Sequence, residues 1–214
     1  RIVDQYFSLP TVPLPSLISP YWIARSTEKF EDAPIRVIEY SDFLCSDCHY
    51  LTQQLDRLKD EFEGKLNIAF QFFPLDATCN QVVNKDKHPG ACELSYIAAY
   101  DPEKFIALHD EIFANPHAAK DPAWRELLIK RHGLEGALED DATRELVDRI
   151  IQTGSEYEKN HDEYQNGIRS TPTMIINNRM VIGTLPYDQL RAIFTALIDE
   201  REKPDRFLEN WVGH

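Results

Sequence analysis

The chain has 214 residues, 43% of them hydrophobic and 28% charged, with a formal net charge of -13. That length can bury one good core, so a single domain with room for an insertion is expected, and a field this negative repels phosphate backbones and anionic lipid, which argues against nucleic acid as a partner. No window approaches the ~18 uninterrupted apolar residues of a membrane span, and the chain opens at Arg1 without a Met or a signal-like apolar stretch, the pattern expected of a processed chain or an excised domain.

Residues 1–34 contain Pro10, Pro13, Pro15, Pro20 and Pro34 with little periodicity, which reads as an extended arm or linker. "IRVIEY" at 35–40 and "LNIAFQFF" at 66–73 read as strands; in the second, Leu66, Ile68, Phe70 and Phe72 alternate with Asn67, Ala69 and Gln71. Between them Leu51, Leu55, Leu58 and Phe62 recur at helical spacing, and Gly64 suits a left-handed cap before the next strand. The result is a parallel β-α-β unit. From about 90 to 167 the pattern is helical, with Asp101-Pro102 and Asp121-Pro122 each reading as an N-cap followed by Pro at the first helical position. "TMIIN" and "RMVIG" then form a hairpin around Asn177-Asn178, and a last helix follows Pro186, leaving 205–214 as a tail. The expected class is α/β, with a helical insertion between the second and third of these strands.

Chemistry concentrates at "EYSDFLCSDCHYL", where Cys45 and Cys48 stand between a strand and a helix. A thiolate at a helix N-terminus is stabilised by unpaired N–H groups and the positive end of the helix dipole. A second thiol three residues on lies on the same face and can resolve a mixed disulfide formed at the first. Half a zinc site is the competing reading of an isolated C-x-x-C, but zinc ligands usually lie in turns with a second pair in reach. Glu39 is an acid in an apolar strand, where burial would raise its pKa and let it exchange protons with Cys48; an edge-facing, solvated Glu is the plainer alternative. "STPT" at 170–173 puts Pro172 at a strand start, either a simple initiator or a cis-proline shaping a loop beside a site.

Together these features resemble the DsbA-like branch of the thioredoxin superfamily over about residues 35–200, within a domain placed at 35–204, on "VIEYSDFLCSDC", "FQFFPLD", "FIALHDEIFA" and "STPTMIINNRMVIG". The resemblance implies a thioredoxin-like fold and an extracytoplasmic thiol-disulfide oxidoreductase that acts on cysteines of other proteins with no dissociable cofactor. Cys45 would be the exposed nucleophile, Cys48 the buried resolving thiol, Glu39 the buried acid, and Thr171-Pro172 the cis-proline loop that docks an extended substrate through backbone hydrogen bonds. The family's Cys-Pro-His-Cys pattern is replaced by Ser46-Asp47 between the cysteines. A carboxylate at Asp47 is expected to raise the Cys45 pKa and draw the potential to an intermediate value, with His49 offsetting part of the effect. "PLDATCNQVVNKDKHPGAC" is similar to thioredoxin-like domains joined to vitamin K epoxide reductase-like membrane proteins, which implies a quinone-linked membrane oxidoreductase of that type or of the DsbB type as electron acceptor, with the Pro-rich arm as a membrane tether.

Cys79 and Cys92 read first as a structural disulfide; a second redox pair, or a metal site with His88 as third ligand, are the alternatives. Tyr40, Phe43 and Tyr50 fit either a shallow apolar groove for unfolded substrate or core packing, and His109 and His117 read as core or surface histidines. The rival function is a metal-binding or chaperone-like domain, marked by stoichiometric metal and a dithiol that does not cycle.

Overall fold

The computed structural model describes residues 1–159 and 167–211. One five-stranded sheet has the order β1-β3-β2-β4-β5, built from β1 (Trp22–Ala24), β2 (Ile35–Ser41), β3 (Leu66–Phe72), β4 (Thr173–Ile176) and β5 (Arg179–Ile182). β2 and β3 run parallel from Ile35 opposite Leu66 to Ser41 opposite Phe72. The crossover between them is α2 (Ser46–Glu61). β4 adds antiparallel to the other side of β2, and β5 returns through a turn in which Asn177 and Asn178 take φ of 42° and 65°. Asn tolerates this left-handed region better than other non-glycine residues, which is why the pair marks the hairpin.

The helical insertion contains α3 (Ala91–Tyr100), α4 (Phe105–Ala114), α5 (Pro122–His132) and α6 (Asp141–Gln152). Asp121 caps α5 by accepting the Ala123 N–H, as its Asp-Pro sequence predicts, whereas Asp101-Pro102 opens a short 3-10 turn that leads into α4. The part of the expected insertion at 160–166 lies outside the described residues. α7 (Tyr187–Trp211) closes the fold and runs beyond residue 204 into the stretch expected to be a tail; 212–214 lie outside the described residues.

Alternation along β2 divides the interior in two. Ile38 and Tyr40 join Phe70, Phe72 and the insertion helices in one cluster, while Val37 joins Leu51, Leu55, Ile193 and Phe194 of α2 and α7 in the other. A strand covered on both faces has no solvated side on which an acid could rest.

Residues 1–34 differ from the expected extended arm. They carry α1 (Ile2–Ser8) and β1, and Tyr6, Val12, Tyr21 and Phe30 are buried. The physical reason lies in β3, where every residue is buried, including the polar ones. Asn67 accepts the Ser26 N–H at 2.7 Å and donates to Thr27 Oγ1 at 2.7 Å, while Gln71 accepts the Ser19 N–H at 2.6 Å and donates to the Leu17 carbonyl at 3.0 Å. The Pro-rich segment thus satisfies the polar side chains of an interior strand through its non-proline residues, Leu17, Ser19, Ser26 and Thr27.

Candidate functional site

The strand β2 ends at Ser41, and four residues later Cys45 stands at the N-cap of α2 with extended backbone angles. Its sulfur accepts the Cys48 N–H at 3.4 Å, as an N-cap side chain should, and its carbonyl accepts the His49 N–H at 3.0 Å. Across a narrow gap lies the segment before β4, whose Thr171-Pro172 peptide is cis. The Cys45 thiol donates to the Thr171 carbonyl at 3.5 Å, so the two stretches that sequence reading singled out 126 residues apart meet at one sulfur. Both thiols are free; Cys48 is fully buried and Cys45 is 7% exposed, so the presented atom is a small window rather than an open side chain.

The two sulfurs titrate in opposite directions. Cys45 is pushed down to about 6, chiefly by the hydrogen bond from the Cys48 thiol, against burial, with further help from the Thr171 side chain and the Cys48 N–H. Cys48 is driven well above the usual thiol range, first by burial and then by its position beside Cys45. Negative charge therefore collects on Cys45 while Cys48 holds the proton.

The direction at Cys45 is opposite to the rise expected from Asp47. Ser46 and Asp47 are both exposed, where water and salt screen the carboxylate. The carboxylate that does oppose the Cys45 thiolate is Asp42. His49 turns along the helix, with Nε2 meeting Gln53 Nε2 at 3.3 Å and its ring facing Phe113.

Glu39 lies in β2 opposite Phe70 on one side and Met174 on the other, with no exposure. The edge-facing alternative is excluded. Among the described residues neither carboxyl oxygen has a well-formed hydrogen bond, and desolvation pushes its pKa up to about 8. Ser41 is two residues on along the same strand face, and its hydroxyl favours the charged form of both the Glu39 carboxyl and the Cys48 sulfur, although it too lacks a well-formed hydrogen bond.

Cys79 and Cys92 form a disulfide, with Cα atoms 6.0 Å apart and a sequence separation of 13. The metal-site alternative fails because both thiols are consumed and His88 is bonded to Asp42 at 2.8 Å. Replacing both cysteines by Ala is expected to lower stability by about 3 kcal/mol, the chain-entropy value for a loop of this size, read from denaturant unfolding with Cys45 and Cys48 held in one redox state.

The groove reading of Tyr40 and Phe43 is also corrected. Tyr40 is buried with its hydroxyl 2.7 Å from Thr153 Oγ1, and Phe43 packs in an aromatic cluster with Phe70, Phe113 and the buried His109. Only Tyr50 of the three is exposed. A groove of about 290 Å³ does lie nearby, lined by Leu75, Val82, Val83, Lys87 and Arg169 among others. It adjoins the site at both ends: Leu75 donates to Asp42 at 2.7 Å, and Arg169 precedes the cis-proline segment.

Sequence reading passed over Asp42 altogether and weighed His88 only as a metal ligand. The available signal for Asp42 was an acid directly between the strand and the dithiol in "EYSDFLC".

A family profile described as Thioredoxin matches residues 30–196, most of the chain. Disulfide bond formation protein D of Bacillus subtilis is 24% identical over 174 residues, covering 75% of this chain and 71% of that protein. A probable disulfide bond formation protein D of Bacillus cereus is 34% identical over 88 residues, and the match spans only 40% of this chain and 38% of the relative. Among solved structures, the catalytic domain of Proteus mirabilis ScsC superposes with a TM-score of 0.62 at 18% identity, covering 83% of this chain and 88% of that one. Wolbachia pipientis alpha-DsbA1 superposes with a TM-score of 0.63 at 15% identity, covering 88% and 94%. The expected DsbA-like arrangement of the thioredoxin fold is therefore present, and the chain belongs to the thioredoxin family.

Proposed function

We propose that the protein is a thiol-disulfide oxidoreductase that exchanges disulfides with cysteines of other proteins through Cys45, Ser46, Asp47 and Cys48. The observation that carries this reading is the geometry of the dithiol: Cys45 at the N-cap of α2, its sulfur accepting the Cys48 N–H and meeting the cis Thr171-Pro172 segment, over a fully buried Cys48, with the shifts of the two thiols in opposite directions agreeing with it. In the reductive direction the Cys45 thiolate attacks one sulfur of a substrate disulfide, forming a mixed disulfide and expelling the other substrate sulfur as a thiolate. Cys48 then loses its proton and attacks Cys45, which closes the Cys45–Cys48 bond and releases the second substrate sulfur. Oxidation of a substrate dithiol is the same path reversed, with two electrons passing to the Cys45–Cys48 disulfide.

The difficult step is ionising a buried thiol. Glu39, raised to about 8, is suited to exchange that proton through its ionised fraction, and Ser41, which bears on both groups, lies on its path. Thr171 and Pro172 border the sulfur under attack, where main-chain groups can pair with an extended substrate, and the groove lined by Leu75, Val83 and Arg169 continues that track. Extracytoplasmic residence is supported by the Cys79–Cys92 disulfide, a bond that persists in oxidising compartments. A structural relative from Salmonella enterica is described as a periplasmic thioredoxin-like protein. The electron acceptor proposed is a quinone-linked membrane oxidoreductase of the DsbB or vitamin K epoxide reductase type, on the resemblance of the 74–92 segment.

The test is catalysis of disulfide formation in a reduced, cysteine-containing protein in glutathione buffer, and of insulin reduction in the opposite direction. Acceleration in at least one direction, lost in Cys45→Ser, supports the reading. A rate equal to glutathione alone in both directions sinks it.

A further inference from the structure

The region between the two cysteines offers no cation for the Cys45 thiolate, yet the structure brings a histidine to the site from another part of the chain. We infer that His88, carried on the Cys79–Cys92 loop and paired with the buried Asp42, is a positioning residue that supplies the counter-charge for Cys45. This deepens the proposed exchange chemistry and rests on it.

Asp42 is wired to both cysteines through its main chain. Its carbonyl accepts the Cys45 N–H at 3.2 Å, and its own N–H points to Cys48 Sγ at 3.5 Å. Its side chain is fully buried and accepts two backbone N–H groups, from Leu44 at 2.6 Å and Leu75 at 2.7 Å. Those donors fix the carboxyl beside the dithiol, and its negative charge opposes a thiolate at Cys45. His88 Nδ1 meets the same carboxylate at 2.8 Å. A protonated ring makes the Asp42–His88 pair neutral and adds attraction to Cys45 in place of repulsion.

The loop fixes that ring in place. The His88 N–H donates to the Leu75 carbonyl at 3.0 Å, and its carbonyl accepts the Ala91 N–H at 3.1 Å. Asp76 Oδ2 accepts the Gly90 and Cys92 N–H groups at 3.2 and 3.1 Å, and the disulfide closes the loop four residues beyond the histidine. The side chain keeps 24% exposure, which leaves it open to protons from solvent. The charged groups that bear on it are Asp42 at the end of β2, Cys45 at the start of α2 and Lys120 just before α5. Asp42 and then Cys45 raise its proton affinity, while burial and Lys120 lower it. Coupling between two titrating sites is reciprocal, so a His88 proton held more tightly beside the thiolate stabilises that thiolate in turn.

The experiment has two independent readings. In the wild-type protein, the His88 ring is titrated by NMR with the Cys45–Cys48 pair reduced and then oxidised; its midpoint is expected to fall on oxidation, because the disulfide carries no charge. In reduced protein, the Cys45 midpoint is measured by thiolate absorbance and alkylation rate for wild type, His88→Gln and the exposed control His117→Gln. His88→Gln is expected to lower the Cys45 acid-dissociation constant about three- to tenfold, a rise of roughly half to one pH unit, with His117→Gln unchanged. Identical His88 titrations in the two redox states, or an unmoved Cys45 midpoint in a folded His88→Gln, would overturn the inference while leaving the exchange function intact. Absence of any reversible Cys45–Cys48 couple in the wild type would overturn both.

Discussion

Cys45→Ser is expected to abolish disulfide exchange, whereas Cys48→Ser is expected to stop it one step later, with substrate held covalently on Cys45. The asymmetry follows from the geometry: Cys45 is the sulfur at the surface window and carries the charge, and Cys48 is fully buried beneath it. Non-reducing electrophoresis of each variant with a disulfide substrate should give no adduct for the first and a thiol-reversible adduct for the second. The wild-type protein provides a quantitative companion. With Cys45 near 6, alkylation should lose half its rate as the pH falls through about 6, and Cys48 should stay unmodified in the native state. An ordinary thiol with a pKa of about 8.5 is roughly 300-fold less ionised at pH 5, and the lower intrinsic nucleophilicity of a more acidic thiolate returns about a factor of 10 to 20 of this. Cys45 should therefore outpace an ordinary cysteine by on the order of 20-fold at pH 5. Near pH 7 that advantage shrinks to a few-fold, so the acid measurement is the discriminating one.

Glu39→Gln is expected to stabilise the protein at neutral pH and to have little effect in acid. The sign follows from linkage. Glu39 is pushed up from 4.5 to about 8 in the fold, so below 4.5 the native and unfolded chains both hold the proton and burial exacts no charge penalty. As the pH rises from there the unfolded chain ionises while the native chain keeps its proton, and stability falls until the native group itself titrates. At pH 7 the accumulated loss is about 3 kcal/mol for a group with no exposure to screen it, and Gln removes it. Denaturant unfolding of wild type and Glu39→Gln at pH 4 and pH 7 checks this; equal differences at both values would mean that the carboxyl is solvated or paired. The same variant should slow resolution of the mixed disulfide, because the ionised fraction of Glu39 that accepts the Cys48 proton, about a tenth at pH 7, is gone. An acid retained at a stability cost of this size is understandable if proton transfer requires it.

The reactive β-α-β unit was legible in the sequence because its signals are local. An apolar strand, a cysteine where an N-cap belongs and a run of leucines at helical spacing need no knowledge of what lies across the core. Glu39 was legible for a related reason, since a parallel central strand leaves an acid nowhere to go. The docked amino-terminal segment was not. Its prolines suppress periodicity, and its anchoring depends on Asn67 and Gln71, whose polar alternation reads as a solvated face until both faces of β3 are known to be covered. β1 is only three residues long, too short for any period to register. The Cys45 titration was misjudged because proximity in sequence favoured Asp47, while burial gave the influence to Asp42 and brought His88 from more than forty residues away.

The most direct test of the central claim is the equilibrium between the reduced chain and glutathione across a series of redox buffers, with Cys79 and Cys92 replaced by Ala in a parallel sample. A Cys45 near 6 lies between a thioredoxin thiol at about 7 and a DsbA thiol at about 3.5, whose potentials are about -270 and about -120 mV, and interpolation places this couple near -230 mV. A reversible two-electron couple within about 50 mV of that value, retained when Cys79 and Cys92 are replaced, is the predicted result. No reversible couple, or one that disappears with Cys79 and Cys92, would contradict the account.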